Sequence, residues 1–439
     1  MRALPEKNSI NTVWWKKVFT FKMLIIFALG FSSGLPLLLT GSTLKLWLAQ
    51  EHIDIKTIGF FGWVGLAYSF KFLWSPFLDR YFSNKLGRRK TWMLFSQIGM
   101  IFGLIMMGLQ NPVDNLWGLA VWSVFVAFMS ATQDIAIDAY RREFLSNEEL
   151  GLGSSMNVYG YRVAMLVAGG IGISLVADAA MSSATATATA TSAGFLTWNQ
   201  LYFLMSAILA GITVLTIFIP EPRDINTPAT LLSAVIDPFI EFFKRKEGIA
   251  ILIFVFLFKL GDQISGSLLN PFYKDMGYQN LEIGLITKTY GMISSLLGLF
   301  IGGVAMLKFG IKKSLWIFGI LQAVSTALFA LITITGPTLL ALGVVVIFED
   351  MTSGMATAAF TAFIAAVTNK KFTATQFAAL TSVATLGRTF FSGFAGVIQS
   401  AVGWAWFFYI GAILAIPGLI LLWWLSRRHS TFSATESRT

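Results

Sequence analysis

The 439-residue sequence is 56% hydrophobic and 15% aromatic but only 12% charged, about half the charged fraction of an average soluble domain. With a mean hydropathy of +0.71, these values exclude a string of soluble domains and predict an all-α polytopic membrane protein. The net charge of +10 is no sign of nucleic acid, because the basic residues gather at alternate span junctions rather than on one polar face.

A spanning helix needs about 20 mainly apolar residues. On that criterion the first half of the chain has spans near 22–48, 57–78, 91–110, 115–140, 151–178 and 197–219. The second half has spans near 248–273, 281–307, 313–333, 337–367, 374–401 and 403–426. The first apolar run follows a basic start but is too long for a signal h-region, and it is read as an uncleaved span. Arg2, Lys7, Lys16, Lys17 and Lys22 precede it, and Arg80, Lys85, Arg88, Arg89 and Lys90 join the second span to the third. Arg141-Arg142, Lys244-Arg245-Lys246, Lys312-Lys313, Lys370-Lys371 and Arg427-Arg428 continue on that side, while the opposite loops hold little beyond Lys56 and Lys274. The positive-inside rule then puts both termini in the cytoplasm and makes the span number even, twelve.

The expected organisation is a six-helix bundle over 1–220, a cytoplasmic linker over 221–247, a second six-helix bundle over 248–426 and a disordered cytoplasmic tail over 427–439. The uncharged run SSATATATATS near 182–192 reads as an outer loop. In the linker, DPFIEFFKRK has the pattern of a short amphipathic helix on the inner leaflet. The halves look like copies. LGFSSG at 29–34 recurs as LGDQISG at 260–266, and GFFGWVG at 59–65 as GLITKTYG at 284–291. The loop LDRYFSNKLGRRK has a degenerate counterpart in LKFGIKKS at 307–314, and YGYR at 159–162 matches TLGR at 385–388. Repeats of this kind place a transporter's substrate between the halves, near mid-bilayer.

A charge inside a span costs at least ~2.5–3.5 kcal/mol, so each one is a functional candidate. Lys71, Arg162, Lys259, Asp262, Glu349-Asp350 and Arg388 fall near span centres; Lys45 and Lys288 are shallower on the outer side, Asp134 and Asp138 deeper toward the inner side. The deep positions hold more cations than anions, which suits an anionic solute, and the carboxylates could carry a proton. Asp134 and Glu349, with Asp262, are the proton-coupling candidates. Asp79, Arg80, Arg88, Arg89 and Asp138 form the expected cytoplasmic gate, with Asp138 meeting Arg88 and Arg89 when the inside is closed. Lys259 and Asp262 stand i,i+3 on one helix and can also simply neutralise each other.

Soluble-enzyme chemistry is missing. His52 and His429 are the only histidines, which leaves no HExxH pair and no serine–histidine relay. No cysteine exists to staple the chain or bind a metal, and no glycine-rich loop precedes a lysine in the nucleotide-binding pattern. The chain is therefore expected to be a transporter without a cofactor, and one that does not draw on ATP. Against a passive channel stand two repeat halves with glycine-rich surfaces suited to rocking. Against an enzyme acting on lipid-linked sugars stands Asp134-Asp138, which has no metal-binding partner.

The LDRY…GRR loop resembles the signature hairpin of the major facilitator superfamily, although the gap between Asp79-Arg80 and Gly87 is longer than usual. More narrowly, GFSSGLPLLLT (30–40), TIGFFGWVGLAYSFKFLWSPFLDRY (57–81), TQDIAIDAY (132–140), FKLGD (258–262) and FTATQFAALTS (372–382) resemble the AmpG-type muropeptide permease family. The resemblance implies the major facilitator fold and proton-driven symport of anhydro-muropeptides across the bacterial inner membrane for cell-wall recycling, which feeds β-lactamase induction. Peptide carboxylates would then suit Lys71, Arg162, Lys259, Lys288 and Arg388. Sugar hydroxyls and amides would suit Tyr68, Gln133, Asn157, Tyr161 and Gln376. The same family neighbourhood contains acetyl-coenzyme A transporters, which makes another bulky anion the alternative substrate. The expected partners are the sugar-peptide, protons and the lipid bilayer, with no nucleic acid, and the chain is taken as a monomer.

Overall fold

A computed structural model describes residues 20–53, 55–176, 196–222, 230–278, 280–283, 286–287, 290–392 and 395–427. The expected outer loop at 182–192 and the tail from 428 onward lie outside the described residues. The first half contains α1 (Phe21–Leu39), α2 (Ser42–Gln50), α3 (Ile55–Phe60), α4 (Leu66–Phe70), α5 (Ser75–Arg80), α6 (Arg88–Gly108), α7 (Leu116–Phe144), α8 (Leu150–Met165) and α9 (Trp198–Phe218). After the linker helix α10 (Leu231–Lys244) come α11 (Gly248–Leu257), α12 (Leu260–Ser267), α13 (Leu269–Asp275), α14 (Gly291–Thr335), α15 (Leu339–Val367), α16 (Thr373–Ser392), α17 (Ala395–Ile413) and α18 (Ala415–Arg427).

Among the described residues, eight helices are long and apolar enough to cross a membrane. Two of these stretches turn at a glycine. Gly310 in α14 and Gly403 in α17 have φ of 73° and 76°, a region closed to most side chains; Gly310 falls in a gap expected between spans and Gly403 is the first residue of the last expected span. The run expected to span at 57–78 departs from one continuous helix. It is built from α3, a 3₁₀ turn Phe61–Gly65, α4, a second 3₁₀ turn Lys71–Leu73 and α5. Gly62, Gly65 and Pro76 in this stretch weaken a regular helix. The run at 248–273 is likewise broken, with Lys259 as the N-cap of α12.

The helices are apolar outward and polar inward, as lipid requires. On α6, Phe95, Ile98 and Phe102 are exposed while Ser96, Gln97 and Gly103 are buried. Small residues let backbones touch. A Cβ on Gly34 of α1 would lie 2.8 Å from the Cα of Tyr161 on α8, and one on Gly160 would lie 2.9 Å from the Phe31 nitrogen. This crossing fixes Asn157, Tyr161 and Arg162 relative to α1. Gly298 and Met351 repeat it between α14 and α15.

The distribution of the core decides which end is shut. One cluster joins the halves at the end with the basic loops, mixing Met23, Met93, Ile137, Tyr140 and Leu152 with Phe254, Leu299, Met306, Phe363 and Phe377. At the other end there are two separate clusters. One is built only from the first half, around Leu39, Trp47, Leu104 and Tyr202. The other comes only from the second half, around Phe272, Phe329, Val345 and Phe408. The linker helix α10 lies at the joined end. It buries Ala234 and Phe242 and leaves Leu232, Val235, Ile236, Phe239, Ile240 and Phe243 exposed as one apolar stripe.

Candidate functional site

The joined end is sealed by charge as well as by apolar packing. Asp79, fully buried at the end of α5, accepts from Arg88 Nη2 (2.5 Å) and Arg89 Nη2 (3.0 Å). It also reaches into the other half. The backbone amides of Ala374 (3.4 Å) and Thr375 (3.0 Å), and the Thr375 hydroxyl (2.8 Å), donate to it. A carboxylate at the first-turn amides of α16 is favoured by both the unsatisfied N–H groups and the helix dipole. Arg88 Nη2 also donates to the Lys371 carbonyl at 3.1 Å. Arg142 donates to the Thr368 and Ala366 carbonyls (3.4 and 3.5 Å) at the end of α15, and Arg245 Nη1 to Val367 (2.6 Å).

Several expected roles change here. Asp138 does not meet Arg88 or Arg89: it pairs with Arg141 (3.1 Å) and Lys71 (4.0 Å). Besides Asp79, Arg89 pairs with Glu143, at 2.5 Å. Glu221 completes the hairpin by accepting the Arg89 and Lys90 amides at 2.6 and 3.1 Å, and burial pushes its carboxyl above the ordinary range. Arg80 lies over the Tyr81 ring, 5.7 Å from its centroid, outside this network. Gln376 donates to Glu241 (2.6 Å) and the Pro238 carbonyl (3.0 Å), which ties α16 to α10 and puts it at the seal.

In the first half, Lys71 sits buried in the 3₁₀ turn Lys71–Leu73, which packs against α16. Ser33 on α1 donates to Asp134, and the Tyr68 hydroxyl and Asn157 Oδ1 are buried without a hydrogen-bond partner among the described residues. Arg162 is half-buried and makes no hydrogen bond or ion pair among the described residues. Gln133 faces a different way from Asp134. Its amide donates to Ser32 (2.5 Å), which also accepts from Gln97 (3.3 Å), and Gln97 donates on to Thr216 (3.1 Å). That neutral network joins α1, α6, α7 and α9.

The second half holds a charged network. Lys259 Nζ lies 3.2 Å from Asp262 Oδ2 and donates to the Ser353 carbonyl at 3.4 Å. Gln322 on α14 donates to both Asp262 Oδ1 (3.2 Å) and Glu349 Oε1 (2.7 Å). Ser325 donates to the other Glu349 oxygen and lies 2.8 Å from the Thr352 hydroxyl. The one ammonium contacts Asp262, and Gln322 bridges that carboxylate to Glu349. Glu349 faces α14, inside its own half. No ion pair among the described residues joins this network to Lys71 or Asp134. Lys288 lies outside the described residues; Arg388 lies in α16, with its side chain outside the description.

Sequence reading missed Gln97, Gln322, Ser325, Glu143 and Glu221. Gln322 had a signal, as a lone amide in the middle of an apolar span, and Glu143 had one in following directly on Arg141-Arg142.

The family model described as Major Facilitator Superfamily matches residues 23–349 and 251–438. The chain is 41% identical over 400 residues to an anhydromuropeptide permease of Escherichia coli K12, covering 91% of this chain and 78% of that one. It is 34% identical over 422 residues to "Putative transporter AmpG 4" of Rickettsia felis, covering 94% and 98%. Among solved structures, the fucose:proton symporter of E. coli superposes with a TM-score of 0.68 at 12% identity, covering 92% of this chain and 98% of that one. At that identity the likeness speaks for the fold alone.

Proposed function

The chain belongs to the AmpG-type muropeptide permease family of the major facilitator superfamily, and on that premise we propose that it imports anhydro-muropeptides across the bacterial inner membrane by alternating access. It acts as a permease, not an enzyme, and the proton gradient drives it. The observation that carries this reading is the asymmetry of the core: shared and charge-sealed at the basic-loop end, separate at the other. With the basic loops cytoplasmic, the state is closed inside, and the two bundles, 1–220 and 248–426, part on the periplasmic side.

Substrate carboxylates meet Arg162 and Lys71, and sugar hydroxyls and amides meet Tyr68, Asn157 and Tyr161. Of these, Arg162, Lys71, Tyr68 and Asn157 are buried or half-buried groups whose hydrogen-bonding capacity is left open or only loosely filled among the described residues. Lys288 and Arg388 complete the cationic set. Proton coupling belongs to the Lys259–Asp262–Gln322–Glu349 network, with Asp134 as the first half's carboxylate. Protonation removes a net buried charge and lowers the cost of occlusion. Substrate and proton then leave together when the Asp79–α16 contact opens. The functional unit is a monomer.

The test is uptake of radiolabelled GlcNAc-anhydroMurNAc-tripeptide into proteoliposomes with the interior alkaline. The account expects accumulation that an uncoupler abolishes and acetyl-coenzyme A does not inhibit. Uptake indifferent to the uncoupler contradicts proton coupling, and competition by acetyl-coenzyme A favours the other anion.

A further inference from the structure

Arg141 and Arg142 are neighbours on the last turn of α7 and point about 100° apart. Arg142 is fully used: two carbonyls of the other half and Asn147 accept from it. Arg141 is not. It is completely buried, and none of its three guanidinium nitrogens makes a hydrogen bond among the described residues. Its one anionic neighbour, Asp138 at 3.1 Å, lies off hydrogen-bond geometry and is shared with Lys71 at 4.0 Å. What covers the guanidinium is an aromatic face, Phe377 of α16, with the ring centroid 5.4 Å away.

A buried guanidinium with empty donors is costly, and a cation–π contact with phenylalanine does not fill five N–H groups. Arg89 and Arg142 show what a purely structural arginine looks like at this end, with carboxylates or carbonyls on its donors. The cover is also movable. Phe377 lies two residues beyond Thr375, whose amide and hydroxyl Asp79 holds. If α16 leaves Asp79, it takes Phe377 off Arg141.

We propose that Arg141 is an inward-facing carboxylate-binding residue. It is capped by Phe377 while the cytoplasmic end is shut and offered to the departing substrate when that end opens. The fork of donors suits a carboxylate held in two-point contact, here the free carboxylate of the muropeptide's peptide. Lys71 lies on the far side of Asp138, so a substrate anion held near Lys71 can pass to Arg141 along one short row of charges. The inference rests on the muropeptide reading and deepens it by assigning a residue to the release step.

The experiment compares two probes, GlcNAc-anhydroMurNAc-tripeptide and its C-terminal carboxamide, in exchange assays with right-side-out and inside-out vesicles. For the wild type at the cytoplasmic face, amidation raises the half-saturation concentration about tenfold, the effect of one lost charge-assisted contact. Arg141→Gln reduces that ratio to below about twofold at the cytoplasmic face and keeps the ratio seen at the periplasmic face, which also reports that the variant is folded. Arg141→Lys, with charge but no fork, is intermediate. If Arg141→Gln keeps the cytoplasmic ratio, or loses it equally at both faces, Arg141 is a gate residue and the proposal fails. If the wild type exchanges neither probe, the muropeptide reading itself fails.

Discussion

Lys71 and Lys259 occupy the same kind of place, a break in an otherwise apolar run, but their neighbours differ. Lys71 reaches Asp138 only at 4.0 Å and stands in a 3₁₀ turn against the opposite half. Lys259 contacts Asp262 at 3.2 Å, and the network closes through Gln322 and Glu349 without leaving its own half. Around Lys71 the same pattern extends to the seal, where Asp79, Arg88 and Arg142 all bind atoms of the second half. Charges that span the interface change partners when the halves rock. Charges enclosed in one half keep theirs and can respond to a proton instead. On the proposed mechanism, the first half is accordingly the gate and the second the coupling device.

The largest break in this comparison comes from Asp79→Ala. It strips the cap from α16 and leaves Arg88 and Arg89 buried with less counter-charge, a loss of about 3–5 kcal/mol for a buried pair. The chain has no cysteine, so Ala378→Cys gives a single reporter, buried at the seal. Its labelling by an impermeant maleimide from the cytoplasmic side rises at least about tenfold in the Asp79→Ala background, in proportion to that destabilisation. Unchanged labelling would show that Asp79 does not hold the gate.

Packing between α1 and α8 comes next. Gly34→Ala drives a methyl into the backbone of Tyr161 and costs about 1–3 kcal/mol by overpacking, read as a lowered unfolding midpoint in detergent. Gly65→Ala, with nothing within 4 Å of the new methyl, stays within about 0.5 kcal/mol. Equal effects would mean that the α1–α8 crossing is loose.

Gln97→Leu and Gln322→Leu sharpen the contrast between the neutral and the charged network. Each removes an amide that ties helices together, at about 1–3 kcal/mol. Only Gln322→Leu reduces pH-driven accumulation, because only its partners are carboxylates. Parallel loss in both would assign the two networks to packing alone.

The smallest effect is at Glu221, whose carboxyl burial raises. The folded protein then holds that proton more readily than the unfolded chain does. Its contribution to stability is present below the ordinary carboxylate range and is lost as pH rises through the elevated folded value. Glu221→Gln flattens that part of the stability curve as pH rises above the ordinary carboxylate range, measured by thermal unfolding. A variant with the wild-type slope would place the titration elsewhere.

Much of this was legible in sequence. Apolar runs marked most of the membrane helices, and Gly310 turns in an expected gap while Gly403 turns at the first residue of the last expected span. The interruptions around Lys71 and Lys259 were not legible, because a 3₁₀ turn at Lys71 and a turn at Lys259 keep the apolar composition of the helices they break. For the site, the buried charges announced themselves by their cost in lipid, but their partners did not. Asp79 binds Thr375 from 296 residues away, a pairing no local pattern encodes. Asp138–Arg141, only three residues apart, was open to the i,i+3 rule.

The division of labour between the halves is tested most directly by one pair of assays on Glu349→Gln in proteoliposomes, pH-driven accumulation and counterflow exchange of labelled anhydro-muropeptide. The account predicts that accumulation disappears while exchange continues, because the variant rocks with its substrate but carries no proton. Accumulation at the wild-type level would contradict it.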